Sequence, residues 1–136
     1  MKSKISMIAL IYPLAILGIT LTAFQQPAKP WVVPDKFSKA VNPSKSDQKS
    51  YKEGKELYAK HCQSCHGKTG LGDGSKAAQL KSEPGNFSLA SFQKQTDGTL
   101  YYKISEGRED MPSFKKKIDE ADEMWELINY IRTLKK

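Results

Sequence analysis

The stretch Cys62-Gln63-Ser64-Cys65-His66 uses both cysteines of the chain within four residues and follows them at once with a histidine. On a helical turn, thiols three positions apart lie together, and the adjoining imidazole is carried to the same place. Four chemistries compete for that donor set. A zinc site wants four ligands, and only His61 and His66 stand near, with no second cysteine pair. A thioredoxin-like redox pair needs a βαβ setting, whereas the flanks here read as helix and glycine-rich loop. A structural disulfide leaves the histidine without a role. The remaining reading employs every residue: each thiol adds across a vinyl group of a haem, and His66 reaches the iron beneath the ring. Cys62, Cys65 and His66 are the expected haem-binding residues, with His66 also a metal ligand.

Upstream, a helix is predicted to start near Ser50, with Glu53 three residues on completing a capping box. Tyr51, Gly54, Tyr58 and Cys62 share one of its faces. A mid-helix glycine costs about 1 kcal/mol relative to alanine, so Gly54 is expected to admit another backbone. Downstream, Gly67, Gly70, Gly72 and Gly74 demand a tight irregular path, suited to backbone lying close to a porphyrin. Gly67-Lys68-Thr69 has the letters that end a phosphate-cradling loop but lacks the glycine five positions earlier, so that reading is set aside. A short helix is expected from Ser75 to about Leu80, and Pro84-Gly85-Asn86 turns the chain. Phe87, Leu89 and Phe92 read as pocket wall or core.

Thr96 or Asp97 is expected to cap a third helix over Gly98–Glu106, which Gly107 closes. A final helix is predicted from Asp119, acidic at its start and ending in Lys135-Lys136, in accord with the helix macrodipole. Trp125, Leu127, Ile128, Tyr130, Ile131 and Leu134 give it a wide apolar face. Nothing reads as a strand, so the expected class is all-α.

A second axial ligand decides what the iron does: sulfur or imidazole makes an electron-transfer site, an open position a catalytic or gas-binding one. His61 adjoins Cys62 and cannot cross to the far face; it reads as an exposed helix residue. Met124 stands beside Trp125 and reads as a core or surface methionine. Met111 follows His66 by 45 positions, in a loop that Pro112 stiffens. Met111 is thus the expected second metal ligand.

The rest of the chain sets the location. Lys2 and Lys4 precede an uncharged apolar run, Ile5 to Phe24, close to the roughly 20 residues that span a bilayer. Residues 1–24 read as a signal peptide or an uncleaved anchor held by residues 5–24, with Leu21-Thr22-Ala23 a mediocre cleavage site. The lysines keep the N-terminus inside and send the remainder outward, to a periplasmic or other extracytoplasmic place. Residues 25–49 are rich in proline and lysine and read as an extended linker. Trp31 interrupts it, either packed on the domain or at a membrane interface. The domain is expected over 50–136. Of the net charge of +7, most lies in leader and linker, and residues 51–136 keep only +2. With no basic face interleaved with aromatics, nucleic acid is not an expected partner.

The span from about Tyr51 to Leu134 resembles the class I monohaem cytochromes c, in particular small bacterial members. The resemblance rests on Gly54-x-x-x-Tyr58-x-x-x-Cys62-x-x-Cys65-His66, on Gly107-Arg108 leading to Met111-Pro112, and on Leu127-Ile128-Asn129-Tyr130-Ile131. It implies a helical fold around one covalent haem c, with first and last helices crossing at Gly54 beneath Tyr130. It also implies an exposed haem edge beside the methionine loop, where redox partners dock. Lys115-Lys116-Lys117 would then face a partner with an acidic surface. Many members carry a proline after the haem motif whose carbonyl orients the proximal histidine; here none follows before Pro84. Arg108 suits a haem propionate or a surface ion pair with Glu109 or Asp110. The expected function is single-electron transfer between respiratory or dehydrogenase partners, with no catalytic residues. A subunit of a larger oxidase or dehydrogenase complex is the alternative, and a haem enzyme or gas sensor with a displaceable Met111 a further one.

Overall fold

Asp47, not Ser50, opens the helix that leads into the cysteine run. Its carboxylate accepts the Ser50 backbone N–H at 2.9 Å, satisfying one of the amides that a helix start leaves free. Helix α2 then spans Gln48–His61. The Ser50 hydroxyl, expected to cap, instead accepts a hydrogen bond from Asn129 at 2.9 Å. The computed structural model describes residues 30–118 and 120–136. The leader, residues 1–24, lies outside them, as does Asp119, where the last helix was expected to begin. Among the described residues no helix is long and apolar enough to cross a membrane.

The last helix, α6, spans Ala121–Arg132 with Glu120 at its N-cap and Asp122 and Glu123 in its first turn. Met124, Trp125, Leu127, Ile128, Tyr130 and Ile131 are all buried, so α6 is enclosed on nearly every side rather than along one stripe. It crosses α2 at Gly54, where the missing side chain lets the backbones meet. Asn129 is the buried polar residue of α6. It receives a hydrogen bond from Asn42 at 2.9 Å and donates to Ser50, which joins α6, the start of α2 and the preceding segment.

That preceding segment contains one helical turn, α1, Asp35–Ser38, where sequence suggested an extended path. It docks on α5, the helix spanning Asp97–Glu106. Thr96 caps α5 by accepting the Thr99 N–H at 3.2 Å and donates its hydroxyl hydrogen to the Ser38 carbonyl at 2.7 Å. Phe37 packs on Tyr102, ring centroids 4.9 Å apart. At Gly98 a Cβ would stand 1.9 Å from the Phe37 carbonyl oxygen, so only glycine lets this segment lie flat. Gly107 closes α5 at φ 67°, as predicted.

Between these elements run α3, Gln63–His66, a 3₁₀ turn at Ala77–Gln79 and α4, Ala90–Gln93. The 3₁₀ turn replaces the helix expected from Ser75, and α4 had no strong sequence signal. Arg132 ties this region to α6, bonding Asp97 at 2.7 and 2.8 Å and the Gln93 carbonyl at 3.0 Å. No strand occurs among the described residues apart from an isolated Arg108–Met111 bridge, and the architecture is all-α.

Candidate functional site

The cysteine run is a single turn of helix set at the end of α2. Cys62 caps α2 through its N–H to the Tyr58 carbonyl at 2.9 Å, and its own carbonyl accepts the His66 N–H at 2.9 Å. Both thiols are free of disulfides and partly buried. Burial, and secondarily the neighbouring Cys65, push the Cys62 thiol up to about 12. The glycine loop folds back on this turn and saturates its carbonyls. Gly72 donates to His66 at 2.9 Å, Gly74 to Cys65 at 3.1 Å and Lys76 to Ser64 at 2.8 Å. A Cβ on Gly74 would stand 2.4 Å from the Ser64 oxygen. The close approach that the glycines permit is thus onto the backbone of α3. Beneath the turn, the buried Tyr58 hydroxyl donates to the Gly67 carbonyl at 2.7 Å.

His66 stacks on Phe87, ring centroids 4.4 Å apart and 28° between planes. Phe92 in turn stacks on Phe87, also at 4.4 Å. Leu89, the third residue expected in pocket or core, is exposed. Burial holds the His66 pKa below the usual imidazole range, while the backbone of Gly85 pushes it up. The ring is therefore neutral near pH 7, the form that can lend a nitrogen lone pair. Its Nδ1 is buried with no hydrogen-bond partner. The Pro84-Gly85 segment is thus the backbone that approaches this histidine, far later in the chain than the family's usual proline.

Met111 lies in a tight turn. Arg108 donates its N–H to the Met111 carbonyl at 2.8 Å and accepts the Met111 N–H at 2.9 Å, with Glu109 at φ 54° between them. Gly107 must be glycine, since its φ is positive and a Cβ would stand 2.5 Å from the Met111 oxygen. The Asp110 carboxylate accepts the N–H groups of Lys81 and Ser82 at 2.6 and 3.1 Å. Ser113 donates to the Ser105 carbonyl at 2.7 Å. Three anchors therefore hold one short loop. The Arg108 guanidinium carbon lies 4.5 Å from the centre of the Trp31 ring.

Cys62, Met111 and Phe92 border one apolar cluster that contains Phe87, the residue on which His66 rests. Met124 is fully buried within that cluster on α6. His61 departs from expectation. It is partly buried rather than exposed, edge-on to Phe114 at 5.9 Å, and its Nε2 is buried without a partner. Burial and the charges of Lys60 and Lys117 lower its pKa, and Glu123 opposes them. Two clefts, one along Ser46, Asp47 and Tyr51, the other along Glu53, Lys60 and Glu126, contain none of the predicted site residues.

Two unpaired thiols, a partly buried imidazole with an enclosed, orphaned nitrogen and a thioether on the same cluster suit a haem attached by sulfur. The role of Phe87 had a sequence signal in its aromatic character. The approach of Gly85 and the contact of Trp31 with Arg108 had none, because both join residues distant in the chain.

Comparison with known proteins agrees with that chemistry. Residues 49–131 match the family described as cytochrome C oxidase, cbb3-type, subunit III. Among solved structures, the chain is similar to the Kuenenia stuttgartiensis reducing HAO-like protein complex Kustc0457/Kustc0458, at 26% identity and a TM-score of 0.61. That match covers 69% of this chain and 47% of the other, so the chain spans about half the length of that relative. It is also similar to the KustC0563 c-type cytochrome, at 30% identity and a TM-score of 0.52, over 61% of this chain and 98% of the other. A point mutant of Kustc0563 matches at 27% identity and a TM-score of 0.51, over 61% of this chain and 99% of the other. No curated protein matches the chain.

Proposed function

The chain belongs to the cytochrome c family whose model it matches over residues 49–131, a haem c protein of the electron-carrying kind, and on that premise we propose how it works. Cys62 and Cys65 would hold the haem through thioether bonds, and His66 and Met111 would be the ligands of its iron. Bound haem c supplies a one-electron iron couple. The residues around it do the rest. Burial keeps His66 neutral and ready to ligate. The aromatic pair Phe87 and Phe92 excludes water from its side. The anchored Met111 loop holds the thioether in place, so little rearranges when charge changes. With His66 and Met111 both engaged by the iron, the protein would leave no place there for a substrate, and its role would be electron transfer and not catalysis. Arg108 serves a haem propionate.

The observation that carries this reading is the His66 side chain, partly buried with its Nδ1 enclosed and missing a partner, directly after two unpaired thiols. Haem should stay with the denatured protein on a gel, and Cys62→Ser with Cys65→Ser should lose it. The oxidised protein should show the weak near-infrared sulfur-to-iron band, and Met111→Ala should abolish it. Loss of that band in Met124→Ala alone, or tight carbon monoxide binding by the reduced wild type, would overturn the ligand assignment.

The place of work is periplasmic or otherwise extracytoplasmic, with residues 5–24 as signal or anchor. Partners are redox proteins with an acidic surface that meets the Met111 loop. A fixed subunit of a larger complex is the second reading. It is favoured by the solved relative that is itself part of a two-component complex. Co-purification of a partner at high salt would select it over a diffusing carrier.

A further inference from the structure

We propose that Trp31 is a positioning residue for the Met111 loop: it holds Arg108, and through Arg108 the turn that presents the thioether. The inference rests on Met111 being the distal ligand. Trp31 is partly buried and comes from the segment that the sequence marks as linker. Two cations lie on its ring, the Arg108 guanidinium at 4.5 Å and the Lys103 ammonium at 5.4 Å. Both distances fall inside the range at which an indole face attracts positive charge. Two cations so near each other repel, and the Lys103 pKa is lowered by burial first and by Arg108 second. Lys103 is steadied by a hydrogen bond to the Gln95 side chain. The negative face of one indole offsets that repulsion and gives Arg108 a fixed seat.

Arg108 passes its position to the ligand directly. Its backbone exchanges both hydrogen bonds with Met111, at 2.8 and 2.9 Å, so residue 108 and residue 111 move as one turn. Asp110 and Ser113 anchor the loop on its other sides. Trp31 is in turn presented from a segment that is itself fastened to the domain. Thr96 holds the Ser38 carbonyl at 2.7 Å, and Asn42 holds Asn129 at 2.9 Å. The tryptophan is therefore a fixed support and not a loose end brushing the surface.

The test follows the near-infrared sulfur-to-iron band of the haem-loaded, ferric full chain while imidazole is added to displace the methionine. Trp31→Leu keeps apolar bulk and loses the aromatic face, and should tighten imidazole binding about fivefold, the scale of one partly exposed cation–π contact. Trp31→Phe should recover part of the loss. Arg108→Leu, which also loses the propionate contact, should tighten imidazole binding at least as much as Trp31→Leu, and adding Trp31→Leu to it should add nothing further. Gly54→Ala, which disturbs the α2–α6 crossing away from the loop and from the Trp31 segment, should lower the melting temperature and leave imidazole binding unchanged. Wild-type imidazole affinity in Trp31→Leu would overturn the proposal while the Met111 assignment stands. So would an equal effect in Gly54→Ala, or additive effects in the double variant. Absence of the band from the wild type would overturn the Met111 assignment and this inference with it.

Discussion

Gly54 and Tyr130 meet where α2 crosses α6: a Cβ at Gly54 would stand 2.9 Å from the Tyr130 Cβ and 2.1 Å from the Glu126 carbonyl oxygen. Neither distance is one a real Cβ adopts. The tyrosine ring that closes the crossing rests on Tyr58, centroids 5.2 Å apart, and on Tyr51 at 5.5 Å. A single missing methyl group thus sets the separation of the two main helices.

Gly54→Ala should therefore destabilise the fold by about 1–3 kcal/mol through overpacking, although alanine favours the helix by about 1 kcal/mol. Denaturant melts of the haem-loaded protein measure it. Lys55→Ala, at the exposed neighbouring position, should change stability by no more than about 0.5 kcal/mol. Equal effects at the two positions would contradict the crossing.

Tyr58→Phe removes the donor to the Gly67 carbonyl and leaves that oxygen buried. The expected loss is about 1–3 kcal/mol, read from the same melts. Burial raises the Tyr58 pKa well above the usual phenol range, so the donor is present at every pH in which the protein folds and the loss should not vary with pH. A loss confined to one pH range would disprove this account.

Glu126 faces Glu53 across the crossing. Burial, then the hydrogen bond and charge of Glu53, raise its pKa to about 7, while Lys49 pulls it down; Lys49 also pairs with Glu53 at 3.8 Å. Between the ordinary value of 4.5 and about 7, the folded state holds a proton that the unfolded state has released. Its contribution is complete below that window and is lost as pH rises through it, so stability falls with pH there. Glu126→Gln should flatten this limb and melt higher than the wild type above pH 7. An unchanged pH profile in the variant would count against the shared proton.

Lys115, Lys116 and Lys117 follow the Met111 loop, but they are not equivalent. Lys115 pairs with Glu106 at 2.5 Å, and the Lys117 ammonium lies 5.3 Å from the Phe114 ring centre. Lys116→Glu should slow oxidation of the reduced protein by hexacyanoferrate(III), an anionic probe, at low ionic strength. The gap should narrow at about 0.1 M salt and above, where screening acts over about 10 Å. A rate indifferent to the substitution at low salt would place electron exit elsewhere.

What the chain declares on its own is local. The spacing Cys62-x-x-Cys65-His66 states the attachment chemistry, because its donors sit on one turn that main-chain bonds close. Gly107 and Pro112 bound the Met111 loop through their own backbone limits, and the apolar run on α6 announces a core helix. Tertiary contacts decided the rest. The start of α2 moved to Asp47 because Asn129, 79 positions away, takes the Ser50 hydroxyl. The segment before α2 became part of the domain because Gly98 and Thr96 of the α5 region receive it. His66 acquired Phe87 and Gly85 as neighbours, and Arg108 acquired Trp31, by the same means. Helix capping and ligand spacing act over a few residues and are written in order along the chain. Burial, pKa and aromatic seating depend on which surfaces meet, and it is tertiary packing, α2 against α6 at Gly54 and the segment before α2 against α5, that brings those surfaces together.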